Sequence, residues 1–212
     1  ARPLLITYDA AGNRTERAPT TYGNWIAKCA NLISFGIDAG TGDTIALPLL
    51  EHHAGHWMSL VWAGACWISG VEIILRPDGR EVANVSGPEL DFFDSTASRY
   101  ACSLHPLGFG FTMPLPDGVN DWSDDVRGEG DLYAGESPTP DDLAWEGQTL
   151  AEVLHVEPIT DQILLQGTST NPLATIRTAL IAPLLGGGSS VAVLGDDLGV
   201  AGREAARPVA TD

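Results

Sequence analysis

The sequence predicts an α/β protein, a three-layer αβα fold with helices on both faces of one mainly parallel sheet. Two observations predict it. Residues 44–50 (TIALPLL) form a nearly continuous apolar run, the pattern of a strand buried on both faces. Runs of that kind alternate with segments whose apolar residues recur at helical spacing, which implies right-handed strand–helix–strand crossovers. The size agrees: 212 residues, 44% of them apolar, fill a sizeable core and exclude a disordered chain.

Residues 4–8 (LLITY) read as the first strand, 9–13 (DAAGN) as a turn, and 14–17 as the returning strand of a hairpin. Thr20 or Thr21 is expected to cap a helix. Its buried face is carried by Tyr22, Trp25, Ile26, Cys29, Leu32 and Ile33, and Gly36 ends it. After the 44–50 strand, a helix is predicted over 53–63 and a strand over 65–75. Pro77-Asp78-Gly79 is a turn and 82–85 a short strand. Pro88 opens a predicted helix to about Ser98, and 100–104 is a strand.

Residues 105–145 change character, being rich in Pro, Gly and Asp, and read as a long loop or linker. Regular structure resumes with a helix near 148–156, a strand at 161–165, a helix at 172–185 and a strand at 190–194. Residues 1–194 are therefore expected to form a single domain, with 195–212 as a loose tail.

The net charge of −17 repels nucleic acid and anionic lipid, so neither is an expected partner. Cys29, Cys66 and Cys102 are too few and too widely spaced for a disulfide framework or a CxxC metal site. They read as buried thiols in a reducing compartment, and the expected location is cytoplasmic. The most apolar stretch, 57–71, falls short of the ~20 residues that span a bilayer. No signal peptide is visible.

Candidate chemistry is sparse. Glu51, His52, His53 and His56 cluster as EHHAGH. On a helix His52 and His56 would share a face and could hold a divalent metal, but no HExxH order and no distant third ligand accompany them, which favours capping and packing. Thr168, Ser169, Thr170 and Asn171 sit between a strand and a helix. They form either a cleft for a small anion or acyl ligand, or an N-cap ahead of Pro172. Gly186-Gly187-Gly188 reads as a helix stop. No G-x-S-x-G elbow is present. No catalytic residue and no cofactor are assigned.

Three ordered segments carry a family resemblance. Thr21-Tyr22, Ala30-Asn31-Leu32, Gly42-Asp43-Thr44-Ile45-Ala46 and Ala63-Gly64-Ala65 are the first, in the first half of the chain. Thr139-Pro140-Asp141-Asp142-Leu143-Ala144-Trp145 is the second, and residues 161–194, ending in LLGGGSSVAVL, are the third. In this order they resemble the N-terminal subdomain of the acyl-adenylate-forming superfamily, which includes acyl-CoA synthetases, peptide-synthetase adenylation domains and luciferases.

The resemblance implies an ATP-phosphate loop, Ser/Thr/Gly-rich and ending in Pro-Lys-Gly, directly after Trp145. Here Glu146-Gly147-Gln148 follows instead, and the loop at 167–172 lacks the aromatic or His residue of the acyl pocket. The ribose-binding Asp and the lid Lys of the family have no counterpart in the sequence either. Adenylation gathers negative charge at the α-phosphate and needs those donors and cations. The chain is therefore expected to be a shortened, non-catalytic relative: a binding or interaction module, as a homodimer or with another protein. The alternatives are a domain retaining an acyl, CoA or nucleotide cleft near Thr168–Asn171, and a small metal enzyme using His52 and His56.

Overall fold

The computed structural model describes residues 2–9, 12–93, 95–166, 171–194, 204 and 207–208. It is an α/β structure with two mainly parallel sheets where the sequence suggested one.

In the first sheet β1 (Leu5–Tyr8) turns back antiparallel into β2 (Arg14–Arg17). Asp9 drives that turn: its carboxylate accepts from the Asn13 backbone at 2.8 Å and from the Asn13 amide at 2.9 Å. The second sheet starts with β3 (Thr44–Ala46), which pairs in parallel with β4 (Glu72–Ile74) on one side and β5 (Glu81–Ser86) on the other. β6 (Ser98–Ala101) and β7 (Val119–Asp121) extend it beyond β5. β8 (Leu143–Trp145) joins β4, and β9 (Gln148–Thr149) closes an antiparallel hairpin with β8. Back in the first sheet, β10 (Gln162–Gln166) and β11 (Ser189–Val193) run parallel to β1, and β12 (Arg207–Pro208) pairs with β10. The outermost strands, β12, β2, β7 and β9, are two to four residues long, which leaves little edge for pairing with another chain.

Side chains alternate across the first sheet and both faces are buried. Leu5, Ile163, Leu165 and Ala192 enter the main core, while Ile6, Tyr8, Leu164, Val191 and Val193 form a second cluster. The main core also holds Ile45, Ile73 and Ala83 of the second sheet, so the helices between them serve both sheets.

The first of these, α1 (Pro19–Asn31), passes directly into a π turn, Leu32–Gly36. Its cap is the Ala18 backbone with Pro19 in the first turn, where the sequence pointed to Thr20 or Thr21. α2 (Leu49–His53) is short. α3 (Trp57–Ile68) is buried at every residue from Trp57 to Trp67. At Gly64 a Cβ would lie 2.8 Å from Ile26 Cδ1, so glycine sets the approach of α3 to α1. Cys29, Cys66 and Cys102 are free and buried. Burial holds each thiol well above its ordinary pKa, which makes them inert packing groups.

Several predicted boundaries move. The 44–50 strand ends at Ala46, because Pro48 opens α2. The helix predicted at 53–63 lies at 57–68, and the strand predicted at 65–75 shrinks to β4. A helix buried on all sides shows no apolar period to mark its ends. Between Pro88 and Ser98 the described residues form turns. Leu90 and Phe93 take left-handed φ of 55° and 46°, and buried Asn84 donates to the Phe92 carbonyl at 2.7 Å. The 105–145 segment is only partly loop: it contains β7, β8 and α4 (Trp122–Arg127), pinned by the fully buried Trp122. α5 (Leu150–Leu154) follows β9. α6 (Pro172–Ile176), a π turn and α7 (Ala182–Gly186) cover the helix expected at 172–185. Within the segment read as a loose tail, Glu204 is tied down, accepting from Tyr8 Oη and Arg14 Nε, each at 2.5 Å. Among the described residues no helix is long and apolar enough to cross a membrane.

Candidate functional site

Four places bear on function. The first is the junction after Trp145. Glu146 and Gly147 take φ of 43° and 83°, so β8 reverses into β9 through a two-residue turn of the kind that suits a hairpin. The turn's own donors are used: Glu146 N–H goes to the Ile73 carbonyl at 2.9 Å and Gly147 N–H to Glu72 Oε1 at 2.7 Å. Glu72 is buried, and its other oxygen lies 3.4 Å from Arg80 Nη1. Arg80 in turn is held by Asp78 at 2.8 Å. The junction thus shows two carboxylates and one cation already paired.

The second is the loop after β10. Thr168, Ser169 and Thr170 lie outside the described residues. Asn171 is described and acts as a cap: its Oδ1 accepts from Ala174 N–H at 3.0 Å, with Pro172 next in the helix.

The third is the histidine cluster. His52 lies on α2, exposed, whereas His56 is beyond the end of α2 and caps α3, so the two do not share a helix face. His56 Nδ1 accepts from Met58 N–H at 3.2 Å. Burial pushes its pKa down to about 3, keeping the imidazole neutral and engaged. His53 Nε2 sits 2.8 Å from Glu89 Oε1. Among the described residues no group of three or more His, Cys, Asp or Glu is placed to hold a metal ion.

The fourth is a cleft the sequence did not reveal. Residues 128–137 fold back over the end of α1, anchored by buried Asn31. Its Nδ2 donates to the carbonyls of Gly130 and Leu132 at 3.1 and 2.9 Å, and its Oδ1 accepts from Ala134 N–H at 3.1 Å. This brings Tyr133 between two hollows, each of about 510 Å³. One is apolar, with walls from α1, α3, α5 and the 172–186 helix, including Ile26, Trp67, Leu154 and Leu184. The other is the more polar of the two, lined by Ser34, Thr41 and Ser69 with exposed Phe35 and Glu136 at its border. Tyr133 Oη lies 3.1 Å from Ser34 Oγ. The Ser69 hydroxyl is buried and has no partner among the described residues. No spacing signal could have found this cleft, because Tyr133 stands in a stretch whose composition reads as linker.

Comparison with known proteins agrees with the architecture. No family model matches the chain. A Mycobacterium tuberculosis protein that carries only a family number for a name is 32% identical over 145 residues, a match covering 64% of this chain and 58% of that protein. An acyl-CoA synthetase from Brucella canis superposes with a TM-score of 0.71 at 13% identity, over 97% of this chain and 43% of the other. Acetoacetyl-CoA synthetase from Streptomyces lividans gives 0.70 at 15% identity, over 96% and 39%. The anthranilate CoA ligase AuaEII, solved with anthranoyl-AMP, gives 0.65 at 14% identity, over 92% and 42%. The chain therefore has the fold of a part of the acyl-CoA synthetases, as its sequence resemblance implied, and spans less than two thirds of each of these proteins.

Proposed function

We propose that this chain, which has the fold of the first part of adenylate-forming enzymes, is a non-catalytic member of that group and acts by binding. The observation that carries the reading is the Glu146–Gly147 turn. It stands where the resemblance calls for the loop that wraps the ATP phosphates. Adenylation needs free backbone N–H donors and a cation around a pentavalent phosphorus that gathers negative charge. At this turn both N–H groups are already bonded, the Glu146 carboxylate is exposed, and Arg80 is neutralised by Asp78 and Glu72. Each missing donor costs ~10²–10³ in rate, and a net charge of −17 further opposes a polyanionic nucleotide.

The experiment is ATP–pyrophosphate exchange with a panel of aliphatic and aromatic carboxylates. Exchange at the level of the protein-free blank is expected, and clear turnover with any carboxylate overturns the reading.

A second reading, a partner protein or a second copy of the chain, is favoured by one observation. Leu107, Phe109 and Met113 are 65%, 56% and 74% exposed on a single loop, an apolar set of the kind that marks interaction surfaces. Sedimentation of the chain before and after replacing Met113 and Phe109 by Ser tests the second-copy form.

A further inference from the structure

The two hollows that meet at Tyr133 differ in chemistry in a way that defines a ligand class. We propose that they form one bipartite site for a small neutral amphiphile: an alkyl chain in the apolar arm and an uncharged hydroxyl or amide head in the polar arm. The inference names a ligand for the binding role proposed above, yet stands on its own observations.

The apolar arm is walled by aliphatic side chains and Trp67, and its volume of about 510 Å³ falls within the range of small-molecule sites. Leu184 and Leu154 are 49% and 41% exposed along it, so an occupant would remove apolar surface from water. Ile68 of α3 lines the apolar arm and the next residue, Ser69, lines the polar one. A chain lying along the end of α3 would therefore bring its head to Ser69.

The polar arm selects the head. Its side-chain groups are the hydroxyls of Ser34, Thr41, Ser69 and Tyr133, and its one carboxylate is Glu136. Among the described residues no Lys, Arg or His lines either arm. Nearby Lys28 is held by the Glu129 carbonyl and, at 3.1 Å, by Asp131. A carboxylate or phosphate head would meet Glu136 and the overall negative field with no cation to receive it. A quaternary ammonium would meet the rings of Phe35 and Tyr133 rather than a cage, and it can neither donate nor accept a hydrogen bond with the hydroxyls there. A hydroxyl or amide instead meets groups it can bond, the hydroxyls of Ser34, Thr41 and Tyr133, beside the Ser69 Oγ, which is buried and without a partner among the described residues. A buried hydroxyl left unpaired costs free energy, and a head that donates to it or accepts from it removes that cost.

The test is calorimetric titration of the full chain with 1-decanol, decanoate and decyltrimethylammonium below their micellar concentrations. Saturable one-site binding of 1-decanol is expected, with decanoate and the quaternary amine each at least ~10-fold weaker. Leu184→Asp or Leu154→Asp, both at half-exposed positions that tolerate a charge, should weaken 1-decanol ~10-fold or more. Leu194→Asp, 37% exposed and lining neither arm, should leave it unchanged. Ser69→Ala should weaken 1-decanol ~5-fold and narrow its advantage over the charged heads. Absence of saturable 1-decanol binding, a charged head bound as tightly as the alcohol, or Leu184→Asp and Leu154→Asp behaving like Leu194→Asp would each overturn the proposal. The two proposals fail separately: amphiphile binding says nothing of pyrophosphate exchange, and silence in exchange says nothing of the cleft.

Discussion

Asn31→Ala tests how the cleft is built. Asn31 is 4% exposed at the last residue of α1, and its amide makes three hydrogen bonds to the backbone of Gly130, Leu132 and Ala134. Each bond contributes roughly 1 kcal/mol net, and truncation leaves three backbone groups without their partner. Alanine returns roughly 0.6 kcal/mol as the better helix former. The expected loss is thus about 2–3 kcal/mol, read as a lower urea midpoint with an unchanged slope. The damage should be local as well as global. The Ala134 N–H donates to Asn31 Oδ1, so its hydrogen exchange should rise far more than that of β11 amides. A loss under about 1 kcal/mol, or an Ala134 amide that exchanges as before, would refute the claim that this side chain holds residues 130–134 over α1.

Two further predictions concern stability. His56 titrates at about 3 in the fold because of burial, against an ordinary 6.5, so between those values the unfolded chain binds more protons. Stability should be full above pH 6.5 and fall as pH drops towards 3, with a slope approaching ~1.4 kcal/mol per pH unit. His56→Asn, which keeps a cap acceptor, should flatten the stretch from 6.5 to about 5 in urea titrations; an unchanged profile would remove His56 as its cause. Glycines separate by what surrounds them. A Cβ on Gly188 would fall 2.3 Å from the Ile159 carbonyl oxygen and 2.6 Å from that of Asp161, whereas one on Gly147 meets open space at a φ of 83°. Gly147→Ala should cost about 1–2 kcal/mol and Gly188→Ala distinctly more, and equal melting temperatures for the two variants would contradict this.

How much was legible depended on where a signal is local. The hairpin at residues 5–17 and the helix from Pro172 were readable because turn and cap residues act on their immediate neighbours: Asp9 on Asn13, and Asn171 on Ala174. The cap at Thr149 is of the same kind, a box with Glu152 that starts α5 where a helix was expected. The ends of α3 were not readable, since a helix buried on all sides is apolar throughout. Residues 105–145 were read as linker because Pro, Gly and Asp dominate their composition. Trp122 nonetheless buries completely and makes α4, a consequence of what surrounds it rather than of its own neighbours in sequence. Of the candidate site residues, His52 and His56 stand four apart in sequence, and the break between α2 and α3 keeps them off a shared helix face.

The sequence by itself determined the α/β class and the likeness to adenylate-forming enzymes, with Glu146-Gly147-Gln148 after Trp145 where that likeness implies a phosphate loop. These rest on composition, order and local spacing. Tertiary structure alone decided that the strands divide into two sheets around α1 and α3. It also decided that Ile73 and Glu72, 73 and 75 residues away in sequence, accept from the N–H groups of Glu146 and Gly147, and that Tyr133 and Ser69 share a cleft. The physical reason is range: caps and turns are settled within a few residues, whereas a buried carboxylate or a cleft exists only once distant segments pack.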